Sequence, residues 1–240
     1  MRDLTSGVLR LGDRRIRTPA VCGSVMESTL EGMERVKRKA ERLGADLLEL
    51  RLDGLKDPPD WDRLLGGRLP VILTHRPERE GGGFRGGEEE RVERLLEGVE
   101  RGVPCLDLEL STPPRLLRRA LSKARKEGTT VILSHHEFSG TPPLPHLLRT
   151  ARRMERLGDL VKVVTLARST EEVLRVLEFL HRARLSVPLV SFAMGELGTL
   201  SRILSALLGS PLVYASAGKP TAPGQLDVKT TRLLLERVRR

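Results

Sequence analysis

Short apolar runs alternate with longer charged segments along almost the whole chain. The apolar runs are rich in Val, Ile and Leu, and they fall at residues 20–25, 47–52, 70–74, 105–110, 130–134, 160–165, 187–192 and 212–215. Between them, residues 29–43, 88–101, 114–126 and 170–184 carry apolar side chains at the spacing of an amphipathic helix. This alternation of strand and helix predicts a parallel sheet with helices outside it.

Eight strand-helix units within 240 residues match a (β/α)8 barrel in number and in length. We predict this barrel as a single domain over residues 1–240, because no linker, repeat or low-complexity tract divides the chain. An open, doubly wound sheet is the alternative, but no strand is followed by a dinucleotide-binding glycine motif. Residues 8–16, with a turn at Gly12-Asp13, predict a hairpin that closes the bottom of the barrel.

Composition narrows the classes of function. No apolar stretch approaches the roughly 20 residues needed to cross a bilayer, and the N-terminal residues lack the apolar core of a signal peptide. We therefore expect a cytoplasmic protein without a membrane partner. The net charge of +10 raises nucleic-acid binding as an alternative, but 32 acids are mixed with the basic residues and aromatics make up 2% of the chain. This mixture favours an ion-paired surface over a nucleic-acid site.

Two predicted strands carry charges at every second position. Leucines alternate with Glu49, Arg51 and Asp53 in one strand, and with Asp107 and Glu109 in another. Successive side chains of a strand face opposite sides, so the leucines should pack on the helices and the charges should point into the barrel. Interior charges cost free energy unless they are paired. The pattern therefore predicts a polar, ligand-holding end of the barrel.

Lys162 lies among Leu and Val within the run at residues 160–165. Apolar surroundings would disfavour its ammonium form and leave an amine that can attack a ketone or aldehyde to form an imine. A lysine at a strand end, with its head in water, is the simpler alternative. The ends of other predicted strands also carry reactive side chains, including His75, His135 and His136. Functional groups of barrel enzymes collect at these carboxyl ends of the strands.

These residues, in this order and spacing, resemble the type I 3-dehydroquinate dehydratases of the shikimate pathway almost from end to end. The matching motifs are Glu49-Leu-Arg51-Leu-Asp53, Thr74-His-Arg76, Glu80-Gly-Gly, Asp107-Leu-Glu109, Ser134-His-His136-Glu-Phe138, Lys162, residues 194–202 and Ala222-Pro-Gly-Gln225. The resemblance implies dehydration of 3-dehydroquinate to 3-dehydroshikimate through a lysine imine, without a metal or an organic cofactor, in a homodimer. A class I aldolase, which also forms a lysine imine in a barrel, is the alternative enzyme.

Residue by residue, the resemblance makes Lys162 the imine-forming lysine, His136 the general acid and base, and Glu80 the carboxylate that orients the histidine. Arg202 would hold the substrate carboxylate. The other pocket residues that the resemblance implies are Glu49, Arg51, Arg76, Met194, Thr221 and Gln225. Two positions depart from the family pattern, because Thr221 replaces an expected serine and Phe192 replaces a second pocket methionine.

Two loops belong to the same prediction. Residues 216–225 contain two prolines and follow the last predicted strand, so we expect a lid in which Thr221 and Gln225 bind substrate oxygens. The glycine-rich residues 79–87 lack the Gly-Lys-Ser/Thr ending of a phosphate-binding loop. We expect them to form a flexible loop that faces the active site.

Overall fold

A computed structural model describes residues 7–238 of the chain. An antiparallel hairpin, β1 (Val8–Leu11) and β2 (Arg14–Arg17), precedes a barrel of parallel strands. The barrel strands are β3 (Ala20–Val25), β4 (Leu47–Arg51), β5 (Val71–Thr74), β6 (Cys105–Glu109), β7 (Thr130–Glu137), β8 (Leu160–Leu166), β9 (Leu189–Met194) and β10 (Leu212–Ser216). The helices between and after them are α1 (Leu30–Arg42), α2 (Trp61–Leu65), α3 (Glu88–Glu100), α4 (Pro114–Glu127), α5 (Leu144–Met154), α6 (Thr170–Arg182), α7 (Ser201–Leu207) and α8 (Val228–Val238).

Each strand from β3 to β8 pairs with its successor, and β10 returns to pair with β3. The eight parallel strands thus form a nearly closed barrel, and the predicted fold is confirmed. The alternative of an open, doubly wound sheet is wrong. In that fold the strand order reverses at a central strand, whereas here neighbouring strands follow the order of the chain and the last strand pairs with the first. Within the described residues, none of the helices is long and apolar enough to cross a membrane.

The hairpin covers the amino ends of the barrel strands, as the sequence predicts. Leu9, Leu11 and Ile16 belong to one buried cluster with the lowest inward-facing residues of the strands, which are Ala20, Leu47, Ile72, Cys105, Ile132, Leu160 and Leu212. The backbone N–H of Gly12 donates to the Thr130 hydroxyl at 2.8 Å. Gly12 has a φ of 57° and lies against Pro104, where a side chain would be both strained and crowded.

Local capping explains where several helices begin. Thr29 caps α1 by accepting from the Gly32 N–H at 3.1 Å, and Ser169 caps α6 through the Glu172 N–H. The helix predicted for residues 170–184 ends two residues early, because Ala183 already has extended backbone. Strand β7 runs three residues beyond its predicted end, which places both histidines, His135 and His136, on a strand of the sheet.

Candidate active site

The carboxyl ends of the barrel strands bring charged side chains together around Lys162 of β8. In register, Lys162 pairs with Ser134 of β7 and with Val190 of β9. Its strand neighbours Val161 and Val163 face the helices in the outer core. Lys162 itself lies inside the barrel with 4% of its surface exposed. The alternative of a lysine with its head in water is therefore wrong.

The surroundings of Lys162 are ionic and not apolar. Its ammonium donates to Asp107 Oδ2 at 2.9 Å and lies 3.5 Å from Glu49 Oε1. The ring of Tyr214 approaches the same nitrogen, with its centroid 4.1 Å away. These ionic contacts correct the sequence analysis, which expected apolar surroundings for Lys162. Partners from other strands, and not the flanking valines of β8, make up the environment of this amine.

Asp107 and Glu49 are buried carboxylates that hydroxyl groups also bind. The Ser134 hydroxyl donates to Asp107 at 2.6 Å, and the Ser24 hydroxyl donates to Glu49 at 2.8 Å. Burial raises the pKa of Asp107, but Arg76 and Lys162 outweigh this effect and hold it well below its usual range. The pKa of Glu49 is lowered in the same way, with burial overcome by Lys162 and Arg51. Both groups are therefore carboxylates near neutral pH.

His136 and Glu80 form a second pair beside the lysine. The Glu80 Oε2 atom lies 3.0 Å from His136 Nδ1 and accepts the backbone N–H of His136 at 3.2 Å. The other oxygen of Glu80 accepts the hydroxyl of Ser111. Burial and the Arg76 guanidinium lower the pKa of His136 to about 3, against the opposing effect of Glu80. The imidazole is therefore neutral at pH 7 and able to accept a proton. His135 is placed by register beside the outward-facing Val163.

Arg76 links these two groups of side chains. Its Nη2 atom lies 3.0 Å from Asp107 Oδ2, and its Nη1 atom lies 3.0 Å from Glu109 Oε1. The same Nη1 atom is 3.1 Å from His136 Nδ1. Arg76 is therefore held between the carboxylate that binds Lys162 and the imidazole ring.

Arg51 and Asp53 fix the neighbouring backbone. Arg51 donates to both oxygens of Asp53, at 2.8 Å and 2.6 Å, in a parallel two-bond geometry. Asp53 also accepts the backbone N–H groups of Arg76 and Gly83, at 3.1 Å and 2.9 Å. One carboxylate thus ties together the end of β5 and the glycine-rich segment.

The glycine-rich segment is attached to the end of the barrel by backbone hydrogen bonds and an aromatic contact. The Gly82 N–H donates to the Pro77 carbonyl at 3.0 Å, and the Phe84 ring packs edge-on against His75 at 4.3 Å between centroids. A Cβ atom at Gly82 would lie 2.0 Å from the Arg76 carbonyl oxygen. The close approach of two backbones therefore requires glycine, and the short turn Glu78–Glu80 carries Glu80 into the barrel.

Arg202 of α7 differs from the other buried arginines. Only 2% of its surface is exposed, and it stacks on the Phe192 ring with 4.4 Å from Cζ to the centroid. Its Nη2 atom donates to the Pro223 carbonyl at 3.2 Å, whereas its Nε atom has no hydrogen-bond partner. Among the described residues, no carboxylate forms an ion pair with it, and burial lowers its pKa to about 10. Such a guanidinium is suited to an anion from outside the protein. Met194, at the end of β9, is buried in the same cluster as Phe192.

The segment after β10 brings Thr221 and Gln225 to the same end of the barrel. The Thr221 N–H and hydroxyl both donate to the side-chain carbonyl of Gln225, at 2.7 Å and 3.1 Å. The amide of Gln225 donates to the Ser24 hydroxyl at 3.3 Å, and Ser24 in turn binds Glu49. The two residues that we expect to bind substrate are therefore bonded to each other and to the carboxylate network.

The structure brings all ten predicted site residues to one end of the barrel and adds several that the sequence analysis did not assign. Asp107 contacts Lys162 directly, and its alternation with leucine was the signal that it points inward. Ser111, Tyr214 and Arg91 carried no such signal, because their contacts come from other elements. Within residues 7–238, no group of three or more His, Cys, Asp or Glu side chains is placed to hold a metal ion.

At the carboxyl end of this (β/α)8 barrel, a lysine lies between two carboxylates and next to a histidine-glutamate pair. These are the groups of a barrel enzyme that uses acid-base chemistry. Residues 21–239 match the pattern of the type I 3-dehydroquinases, and the chain belongs to that family. The resemblance predicted from the motifs is thereby confirmed.

Relatives and solved structures agree with this assignment. The 3-dehydroquinate dehydratase of Methanothermobacter thermautotrophicus is 37% identical over 218 residues, covering 90% of this chain and 95% of that protein. The enzyme of the same name from Methanopyrus kandleri is 38% identical, covering 87% and 94%. The crystal structure of 3-dehydroquinate dehydratase from Geobacillus kaustophilus superimposes with a TM-score of 0.89 at 28% identity, covering 98% of each chain.

Proposed function

We propose that the protein dehydrates 3-dehydroquinate to 3-dehydroshikimate, the lyase step of the shikimate pathway that leads to aromatic amino acids. Membership of the type I family supports this activity, as do the relatives of that name. The observation that carries the mechanism is the placement of Lys162, 2.9 Å from Asp107 in the same buried site as the His136–Glu80 pair.

Lys162 is the proposed nucleophile. Its amine, once deprotonated, attacks the substrate ketone and expels water to give a protonated imine. The imine carries the same positive charge at the same place as the lysine ammonium. Asp107 and Glu49, at 2.9 Å and 3.5 Å, therefore stabilise both species without a change of net charge in the site. The cationic imine withdraws electrons from the adjacent carbon, whose proton becomes easier to remove.

His136 is the proposed base and acid. If its Nδ1–H donates to Glu80, then Nε2 keeps a free lone pair and can take the proton from the carbon next to the imine. The electrons of that C–H bond move onto the imine nitrogen and form an enamine. They then return to form the carbon-carbon double bond as the hydroxyl on the next carbon leaves. The histidine gives its proton to that hydroxyl, which departs as water, and hydrolysis of the imine frees the product.

Arg202 is the proposed partner of the substrate carboxylate, because it is a buried guanidinium without an acid of its own among the described residues. Residues 216–225 are the proposed lid, and the Arg202 bond to Pro223 connects the lid to this anion site. The remaining residues that we place in the pocket are Glu49, Arg51, Arg76, Met194, Thr221 and Gln225.

We propose in addition that residues 1–240 act as one barrel domain and that two copies associate in the cytoplasm. Dimer formation is supported by the family resemblance and by exposed apolar side chains in and before α7. Leu197, Leu200 and Leu204 are 53%, 65% and 39% exposed. Three exposed leucines this close together in the chain suit burial against a second copy. Analytical ultracentrifugation of the wild type and of Leu200→Glu measures the mass in solution.

Borohydride trapping tests the proposed imine. Borohydride reduces an imine to a stable amine, so 3-dehydroquinate and borohydride together should inactivate the enzyme and leave one substrate adduct on Lys162. Lys162→Arg keeps the charge but cannot form an imine, so it should make no adduct and lose at least ~10⁴-fold in kcat. Peptide mass spectrometry locates the adduct, and Lys219 and Lys56 are the control sites. An adduct on either control lysine, or an active Lys162→Arg enzyme, contradicts the assignment.

Formation of the conjugated enone tests the reaction itself. The purified enzyme with 3-dehydroquinate and a metal chelator should generate the ultraviolet absorbance of the enone product. Absence of that absorbance at high enzyme concentration overturns the proposed function, whatever the trapping experiment shows.

A further inference from the structure

Arg202 is held in the barrel differently from the other buried arginines at the same end. Arg51, Arg76 and Arg91 are buried as well, and each of them forms an ion pair with a carboxylate within 3.0 Å. Arg202 is 2% exposed, yet no carboxylate among the described residues forms an ion pair with it. A buried charge is costly unless a partner offsets the lost hydration. A group other than an acid must therefore support this guanidinium.

The face of the Phe192 ring is that support. The Arg202 Cζ atom lies over the ring, 4.4 Å from its centroid, and Phe192 is 4% exposed. The face of an aromatic ring is negative and attracts a cation, most strongly where both groups are shielded from water. A carboxylate partner would neutralise the arginine and occupy its N–H donors. The ring attracts the cation and uses none of the donors, which lie in the plane of the guanidinium.

The donors of Arg202 are accordingly only partly used. Its Nη2 atom donates to the Pro223 carbonyl at 3.2 Å, and its Nε atom is buried without a hydrogen-bond partner. A buried donor left unpaired costs free energy, which a ligand that accepts from it can recover. A carboxylate from outside the protein would bind here without displacing an acid of the chain, and its bonds would be charge-assisted.

Phe192 is itself fixed by the barrel. It lies on β9, in register with Val164 of β8, and both belong to one buried cluster with Met194 and Tyr214. The Tyr214 ring packs beside it at 6.3 Å between centroids, with the two planes at 44°. The long side chain of Arg202 has several rotatable bonds and loses conformational entropy when it is held in one place. A rigid ring on the sheet therefore provides the surface against which this side chain is ordered.

We infer that Phe192 is a positioning residue for Arg202, whose ring takes the place of a carboxylate partner and keeps the guanidinium charged, ordered and open to an anion. The catalytic consequence rests on the proposed function, in which Arg202 binds the substrate carboxylate. Phe192 stands where the family pattern has a second pocket methionine, so the aromatic face is a departure of this chain from that pattern. The ring acts on substrate binding through the arginine and not by its own contact with substrate.

NMR of the free enzyme tests the contact. The ring current of an aromatic side chain moves the resonances of nuclei over its face upfield. In ¹⁵N-arginine protein, the Nε–H proton of Arg202 should therefore resonate upfield, and Arg202→Met identifies it by its disappearance. Phe192→Leu should remove the upfield shift. Phe179→Leu is the matched control, because Phe179 is fully buried in the outer core, and this change should leave the resonance in place. An Nε–H resonance that Phe192→Leu does not move overturns the inference.

Fluorination of the ring tests the attraction without removing the side chain. Phenylalanines with one, two or three fluorine atoms, incorporated at position 192, keep the shape of the ring and progressively weaken its negative face. KM for 3-dehydroquinate should rise with each fluorine, to about 10-fold with three. The value of kcat should stay within about twofold, because the carboxylate is bound equally in the ground state and the transition state. The same residues at position 179 should leave KM unchanged. A KM that is independent of the number of fluorines contradicts the inference, and this series decides it if Phe192→Leu does not fold.

The Arg202→Met background separates the two ways in which the ring could act. If Phe192 works through Arg202, fluorination of the ring should no longer change KM in that background. A fluorine dependence that persists without the guanidinium would mean that the ring contacts the substrate itself, and the inference would be wrong. The NMR comparison needs no substrate. A wild type that makes no enone would therefore refute the proposed function, whereas the Nε–H resonance would still decide whether Phe192 holds Arg202.

Discussion

The lower and upper layers of the barrel interior are built on the same strands, one step apart, and their chemistry is opposite. The lower layer includes the apolar side chains Leu47, Ile72, Cys105, Ile132 and Leu160. Two residues further along the same strands, the upper layer has Glu49, Thr74, Asp107, Ser134 and Lys162. Because side chains of a strand repeat with a period of two, these pairs point the same way and differ only in height.

This difference separates stability from function within one barrel. The β1–β2 hairpin closes the lower layer. Unfolding would expose the apolar side chains of this layer to water, so their burial contributes to the stability of the fold. The upper layer buries ionised groups, whose desolvation is offset only by the pairs among them. Removal of a reacting group from the upper layer should therefore lower kcat in addition to any change in stability, whereas changes in the lower layer should act mainly on stability.

Apart from the loss of Lys162, the largest expected effect is on catalysis, at the two adjacent histidines of β7. His136→Ala should lower kcat by about 10² to 10⁴-fold, because it removes the proposed acid and base. His135→Ala should leave kcat within a few-fold, since register places His135 on the outer side of the barrel. Steady-state kinetics at fixed pH compares the two. Equal losses from both substitutions would show that the inward and outward sides do not divide function as we propose.

A substitution in the lower layer should have the converse effect. Leu11 is fully buried under the barrel, so Leu11→Ala should lower the free energy of unfolding by about 2 to 5 kcal/mol. Val8→Ala is the matched control on the same strand, where the side chain is 61% exposed. Urea denaturation followed by circular dichroism gives both values. A fall in kcat without a loss of stability in Leu11→Ala would break the proposed division between the layers.

The sequence predicts the lower layer and the strand alternation better than it predicts the site. Apolar runs and charges with a period of two are local signals, and they placed Glu49, Asp107 and the hairpin correctly. The prediction of apolar surroundings for Lys162 was wrong, because its partners come from strands more than 50 residues away in the chain. The contacts of Arg91 were missed for a different reason: the His75 carbonyl, Glu109 and Thr112 lie on other elements, and the helical pattern around Arg91 does not show them.

Arg202 allows a finer separation of binding from stability. It is buried without an acid partner among the described residues, so Arg202→Met should remove substrate affinity and raise KM at least ~10-fold. The same change should increase the free energy of unfolding by about 1 kcal/mol, because it removes a buried charge that has no carboxylate partner among the described residues and whose Nε atom has no hydrogen-bond partner. Arg232→Met is the control, since Arg232 binds Asp46 and its loss should destabilise the fold. Reduced stability in Arg202→Met would mean that this arginine supports the structure.

The smallest expected effect is at Thr221 in the proposed lid. Its hydroxyl donates to Gln225 at 3.1 Å, and its backbone N–H donates to the same oxygen at 2.7 Å. Thr221→Val keeps the shape and the backbone bond, so losing the hydroxyl should weaken substrate binding by only about 1 kcal/mol, or roughly fivefold in KM. Thr221→Ser retains the hydroxyl and should be nearly silent.

Limited proteolysis measures the same lid independently of turnover. Substrate should protect residues 216–225 from cleavage in the wild type, because a lid that closes over the site removes its backbone from the protease. Thr221→Val should need a several-fold higher substrate concentration for the same protection, and Thr221→Ser should match the wild type. Cleavage that saturating substrate does not slow, together with an unchanged KM in Thr221→Val, would make this segment a connector. The pocket around Glu49 would then remain open to water throughout the reaction. The ion pairs of the upper layer alone, without a lid, would then hold its charged groups in place.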